Sequence, residues 1–138
     1  PIRAEPLHEL SRYMRMKEQP RLAYFYAKSA DRLPFPEWDI LFVNKDVYDF
    51  MIMDEISATA FYCHEFEEGI RVSRKLLSLN LPDGYKDRIR NNLEQYEIAN
   101  KEHKARMSAM RANRDAELSL AMQSKKPKTY KKRKKQKR

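Results

Sequence analysis

Apolar positions recur at helical spacing along most of the chain. Leu7, Leu10 and Met14 share one face of a helix predicted over 4–17. Gln19-Pro20 ends that pattern, and Pro20 suits the first turn of a second helix over 20–33, whose packing stripe is Leu22, Ala23, Tyr26, Ala27 and Ala30. Pro34 and Pro36 stop it. Residues 35–46 break the period. The run Ile40-Leu41-Phe42-Val43 reads as an extended, buried loop or a lone strand, and without a pairing partner it makes no sheet. A third helix is predicted over 47–63, with Tyr48, Met51, Ile52, Ile56, Ala60 and Phe61 apolar. A fourth over 65–79 turns Phe66, Gly69, Ile70, Leu76 and Leu77 inward. Leu81-Pro82-Asp83-Gly84 reads as a turn. A long helix then starts near Tyr85, amphipathic through Ile89, Leu93 and Tyr96, and thinning to Met107, Met110, Leu118 and Met122.

Shifting the chain by 46 residues lays the first helix pair on the second. Leu7 falls on Met53, Leu10 on Ile56, Ser11 on Ser57, Ala23 on Gly69 and Lys28 on Arg74. Two helices approach to about 8–9 Å only where side chains are short. Leu10, Ser11, Ala23, Ala27, Ile56, Ser57, Gly69 and Ile70 are therefore the expected helix-pair contacts, with Ser11 against Ala23 and Ser57 against Gly69. On that placement Gly69→Leu overpacks, while Gly69→Ala is neutral or stabilising. An offset of 46 is a unit of about 34 residues, the helix-turn-helix period of tetratricopeptide repeats, plus the 12-residue insertion 35–46.

The segments that carry this period resemble a known family. His64-Glu-Phe-Glu-Glu-Gly-Ile-Arg-Val-Ser-Arg-Lys-Leu-Leu77 is similar to the second half of a tetratricopeptide repeat, with Gly69 at its small position. Lys17-Glu-Gln-Pro-Arg-Leu-Ala-Tyr-Phe-Tyr-Ala-Lys28 resembles the earlier copy. The order of a first pair, then Asp39-Ile-Leu-Phe-Val-Asn-Lys-Asp-Val-Tyr-Asp49, then a second pair, resembles the helical segment after the catalytic domain of some family 2 glycosyltransferases. The likeness spans about residues 4–96. It implies an all-α fold of antiparallel helix pairs of tetratricopeptide-like α-solenoid type over 1–100. Beyond the likeness, helical spacing predicts an extended helix over 101–123, and the basic composition predicts a disordered tail over 124–138.

Two features depart from the family's pattern. Glu18 and His64 stand where it has glycine at the sharp turn. The Asp-x-Asp that holds a metal and a nucleotide-sugar diphosphate is missing, since neither Asp46/Asp49 nor Asp83/Asp87 has that spacing. With no Gly-rich phosphate loop either, the resemblance implies an accessory module with no catalytic residue, cofactor or metal of its own. Sugar transfer then belongs to a domain outside this chain. Its expected partner is a protein or neighbouring domain held in the helical groove.

Charge changes the picture at one end only. The chain of 138 residues carries a net +9, yet ten Lys/Arg sit in 125–138 with no acid: Lys125, Lys126, Lys128, Lys131, Lys132, Arg133, Lys134, Lys135, Lys137 and Arg138. Setting those ten aside leaves 19 basic against 20 acidic residues in 1–124, a net of −1. That run attracts nucleic acid, an anionic surface or a nuclear import receptor. The rival expectation is accordingly a small stand-alone basic-tailed protein that binds RNA or DNA.

Composition excludes other classes. Only two glycines and 36% charged residues favour helices, and one cysteine excludes an internal disulfide framework. A reducing compartment, cytoplasmic or (from the tail) nuclear, is expected. No apolar run approaches the roughly 20 residues of a membrane span. The opening Pro1 suits a processed start or a piece of a longer chain.

Other candidates resolve to plainer readings. Cys63-His64-Glu65 with Glu67 and Glu68 has the residue types of a metal site, but neighbours on a helix point apart, so turn chemistry and a solvated face are expected. His8 and His103 receive no role. Trp38, Phe42 and Tyr48 form the candidate interaction loop. They suit a sugar-stacking platform, but the preferred reading is a plug between the helix pairs.

Overall fold

The computed structural model describes residues 3–39 and 41–124 of the chain. The described residues are helical and carry no strand: α1 (Glu5–Met16), α2 (Pro20–Asp31), α3 (Ile52–Thr59), α4 (Phe66–Leu77) and α5 (Asp83–Ser124). They fall into two units divided between Glu102 and His103; in the second, residues 103–124 are helical and the side chains of 103–123 are exposed. The basic residues from Lys125 to Arg138 lie outside the described residues.

The duplication is written into the backbone. Phe66 follows Pro20 by 46 residues and Leu77 follows Asp31 by 46, so α2 and α4 have equal length and matched ends. The turns match as well. After α1, the Gln19 N–H donates to Met14 O at 2.9 Å and the Glu18 N–H to Arg15 O at 3.1 Å. After the second copy, the Glu65 N–H donates to Ala60 O at 3.1 Å and the His64 N–H to Phe61 O at 3.1 Å. This six-to-one and five-to-two pairing closes a helix C-terminus around one left-handed residue. Glu18 (φ 57°) and His64 (φ 60°) are those residues. Both occupy a conformation that glycine adopts without cost, so the turn geometry persists although the glycine is gone. The reversal over Lys17–Gln19 is too short for anything but antiparallel packing of α2 on α1.

The third helical stretch is not uniform. It opens with a π-helical turn, Val47–Met51, closed by the Ile52 N–H on Val47 O. That wider turn lets Tyr48 reach back to the start of α1 while Phe50 meets Tyr85 edge-on at 5.7 Å between ring centres. At the other end the Thr59 hydroxyl donates to Glu55 O at 2.6 Å. Such back-bonding bends helices, and Ala60–Cys63 follows as a tighter 3₁₀ turn.

The core runs through Ala23, Ala27 and Ala30 of α2, Ile52 and Ile56 of α3, and Val72 and Leu76 of α4. Leu22 lies outside it, exposed, and Leu10 and Ile70 are half-buried. In the first pair the expected contact is present: the Ser11 hydroxyl donates to Ala23 O at 2.7 Å. In the second pair it is different. Ser57 meets Ser73, the counterpart of Ala27, at 2.8 Å between hydroxyl oxygens. Gly69 faces α5 instead, where a Cβ would stand 2.3 Å from the Tyr96 ring. Helical period identifies which face is buried but not which neighbour covers it. The predicted turn at Asp83-Gly84 is likewise the first turn of α5, and Gly84 has no positive φ.

Gly69→Ala is therefore expected to destabilise, against the expectation from helix propensity. Propensity offers up to about 1 kcal/mol. Overpacking a buried ring costs about 1–3 kcal/mol, and Tyr96 is held at its far end, so it cannot swing aside. Thermal melts should put Gly69→Ala below wild type and Gly69→Leu lower still. An alanine variant as stable as wild type would refute this packing.

Candidate interaction groove

The helical period of α1 puts His8, Arg12 and Arg15 on one face. Asp54 and Glu55 of α3 lie opposite, and Arg88 of α5 closes the third side. Together with Met51, Pro82, Gly84 and Tyr85 these residues line a cleft of about 690 Å³. Past Arg15 and Arg88 a second hollow of about 510 Å³ follows, lined also by Glu18, Pro20, Ala58, Tyr62 and Asn92. The two hollows share Arg15 and Arg88, with apolar side chains beside them: Met51, Pro82 and Tyr85 in the first, and Pro20, Ala58 and Tyr62 with Glu18 and Asn92 in the second.

The charges are stacked in two layers. Arg15 donates from Nε and Nη2 to the Glu55 carboxylate at 2.8 and 2.9 Å. Arg88 Nη2 donates to both Asp54 oxygens at 2.7 Å, and its guanidinium lies over the Tyr85 ring at 5.5 Å. The Arg15 side chain is 42% exposed and Glu55 only 4%; Arg88 is 43% exposed and Asp54 12%. Solvent in the groove therefore meets the arginines, with the carboxylates beneath as braces. Burial raises the Asp54 pKa above the usual carboxylate range, and Arg88 offsets part of that rise. Removing either arginine alone would leave a buried carboxylate unpaired, a loss of about 3–5 kcal/mol.

His8 is almost wholly buried at the groove wall, and among the described residues its Nδ1 has no hydrogen-bond partner. Glu9 Oε1 lies 3.4 Å from that nitrogen without hydrogen-bond geometry. Buried nitrogens are rarely left this way.

Several expected site residues lie elsewhere. Ser11, Ala23, Ala27, Ile56, Ser57 and Gly69 are core. Burial pushes the Cys63 thiol up, which keeps it protonated rather than nucleophilic. His64 occupies the left-handed turn, edge-on to Phe66. Among the described residues, no three His, Cys, Asp or Glu side chains gather as a metal-ligand set. None of the helices there is long and apolar enough to cross a membrane.

The loop at 35–46 is not a plug. Trp38 is 80% exposed and Phe42 93%, with Leu41 exposed beside them. Ile40 lies outside the described residues. Only Tyr48, of the three aromatic candidates, is half-buried. Its hydroxyl donates to Glu5 at 2.8 Å and accepts the Ala4 N–H at 3.0 Å. The three rings thus form no common platform with a buried base. What ties the loop down is charge. Arg3 donates to Glu5 at 2.7 Å, to Asp39 at 3.3 Å and to the carbonyls of Leu41 and Phe42 at 3.4 and 2.5 Å. Phe42 is left-handed (φ 59°), and its ring is exposed.

The groove's Arg12, Arg15, Arg88, Asp54 and Glu55 were absent from the sequence expectation. Their signal was available: Asp54 and Glu55 interrupt an otherwise apolar run, and buried carboxylates need cationic partners. Comparison with protein-family models, with curated proteins and with solved structures gives no match.

Two expected outcomes follow from the loop. Trp38→Ser with Phe42→Ser should leave stability within about 0.5 kcal/mol of wild type, as exposed substitutions do. A buried plug would lose about 3–5 kcal/mol per ring, so a large drop in melting temperature would restore that reading. The second outcome concerns Glu5, whose pKa is lowered to about 2, first by its hydrogen bond from Arg3. A depressed carboxylate contributes stability above its unfolded pKa of about 4.5 and loses it as pH falls toward 2. The melting-temperature gap between wild type and Glu5→Gln should be full at pH 6 and shrink through that window. A gap independent of pH would show that Glu5 acts without its charge.

Proposed function

We propose that the chain is a non-catalytic helical-repeat module that engages a protein partner or a neighbouring domain through its groove. The helix pairs are taken as tetratricopeptide-like, and the module as an accessory part of a glycosyltransferase whose sugar transfer occurs in a domain outside this chain. The observation that carries the reading is the 46-residue duplication. Paired helices, their left-handed turns and their closing hydrogen bonds recur in register. Stacking such units leaves a groove along one set of helices, and the cleft carries Arg12 and Arg15 of α1 and Arg88 of α5 opposite Asp54 and Glu55 of α3. The glycosyltransferase part rests on the resemblance of the 39–49 segment and its flanking pairs.

A second reading, a nucleic-acid-binding protein, is favoured by the ten basic residues in 125–138. Two measurements separate the readings. The full chain with a panel of nucleotide sugars and Mn²⁺ should give no donor hydrolysis above blank. Turnover that survives repurification would end the accessory reading. A chain ending at residue 124 should keep its helical circular dichroism and melting temperature and lose nearly all binding to single-stranded RNA at 50 mM salt, because such binding follows counterion release by the basic run. Salt-resistant RNA binding by that shortened chain would favour the second reading.

A further inference from the structure

We propose that the groove between α1, α3 and α5 takes an extended peptide segment in which one acidic residue is flanked on both sides by apolar residues. The inference rests on the interaction-module reading and names the chemistry of the partner.

The placement of charge carries it. Among the described side chains that line the first cleft, Arg12, Arg15 and Arg88 stand against Asp54 and Glu55. Layering makes the surface cationic, since both carboxylates are covered by the groups they hold. Arg15 spends Nε and Nη2 on Glu55, and Arg88 spends Nη2 on Asp54; among the described residues the remaining guanidinium N–H groups of both have no acceptor. Arg12 has only long contacts, at 3.4 and 3.5 Å, to an exposed Glu9. A guanidinium whose geometry is fixed beforehand loses little entropy on binding a carboxylate in the same plane. An acidic side chain set among these three arginines gains bidentate hydrogen bonds that the free protein leaves unmade.

Length and wall chemistry supply the flanks. A lone anion would fill a small part of two joined hollows of about 690 and 510 Å³. Met51, Pro82 and Tyr85 offer apolar surface on one side of the arginines, and Pro20, Ala58 and Tyr62 offer it on the other. Glu18 at the far hollow repels a second acid there. The favoured segment is therefore apolar, acidic, apolar, with its charge at the centre.

Selecting a random dodecapeptide phage library on the full chain tests this directly. Enriched peptides should share a single Asp or Glu between apolar residues. Measured by fluorescence anisotropy, they should bind at least fivefold more weakly to Arg12→Ala and to the double variant Arg88→Met/Asp54→Asn. Changing the peptide's acid to its amide should weaken binding as much. Arg12 is exposed and, among the described residues, bonded to no buried group, so its variant keeps the fold and decides the matter even if the double variant melts early. Enriched peptides that lack an acid, or that bind Arg12→Ala as tightly as wild type, would overturn the groove assignment while leaving the interaction-module reading standing. Enrichment of no peptide would sink both. An oligouridylate dodecamer that outcompetes every peptide, and loses its binding in Arg12→Ala, would make the occupant a nucleic acid and overturn the proposal as well.

Discussion

The missing Cβ of Gly69 is the constraint on which the second half of the fold depends. The space it leaves is filled by the Tyr96 ring, whose hydroxyl donates to Ser57 O at 2.8 Å and accepts the Phe61 N–H at 2.9 Å. Those bonds satisfy two backbone groups where the α3 stretch tightens into its 3₁₀ turn, and such groups are costly to bury unpaired. Burial pushes the Tyr96 hydroxyl up to about 12, which keeps it a donor at neutral pH. One ring thereby fixes α5 against both α3 and α4. Asn92 and Arg88 lie four and eight residues before Tyr96 on the same helical face. Seating Tyr96 is thus what sets Arg88 over Asp54 and closes the groove.

Much of this was legible in the residues, and the reasons for the rest are specific. Small side chains at matched places located the duplication, and Pro20 and the 46-residue offset located the helix starts. The left-handed positions were visible too, although as departures. Glu18 and His64 stood where glycine was expected, and both adopt the conformation that glycine would. The fault lay with neighbours. Periodicity marks Gly69 as buried but is silent on whether Ser57 or Tyr96 covers it. A side chain on one helix can be matched to a face, not to a partner far away in sequence.

The loop misled for a different reason. Its residues are apolar, and apolar residues are usually buried, but that rule runs one way only. Burial needs a vacancy, and the alanines of α2 already let the helices close together without one. Charged residues hold this loop instead: Arg3 binds Glu5, Asp39 and the Phe42 carbonyl. Charge orders the groove as well. Asp54 and Glu55 sit within an otherwise apolar run, and their burial is what orders two arginines.

Comparing the two copies position by position separates what the fold requires from what it leaves free. On the packing face the chemistry is kept small: Ser11 and Ser57 are equivalent and buried, as are Ala23 and Gly69. On the groove face it diverges. His8, Arg12 and Arg15 of the first copy correspond to Asp54, Ala58 and Phe61 of the second. Glu9, exposed in α1, corresponds to Glu55, which is buried against Arg15. A helix pair needs short side chains where it touches its mate, and substitution there meets the close-packing penalty. The groove-facing positions carry no such demand, yet they are not a random polar surface. The first copy supplies the cation and the second the anion that braces it, so neither copy alone could hold Arg15 in place. The electrostatic floor of the groove is a property of the joined pairs, and it exists only because two units that pack alike differ on the face they share.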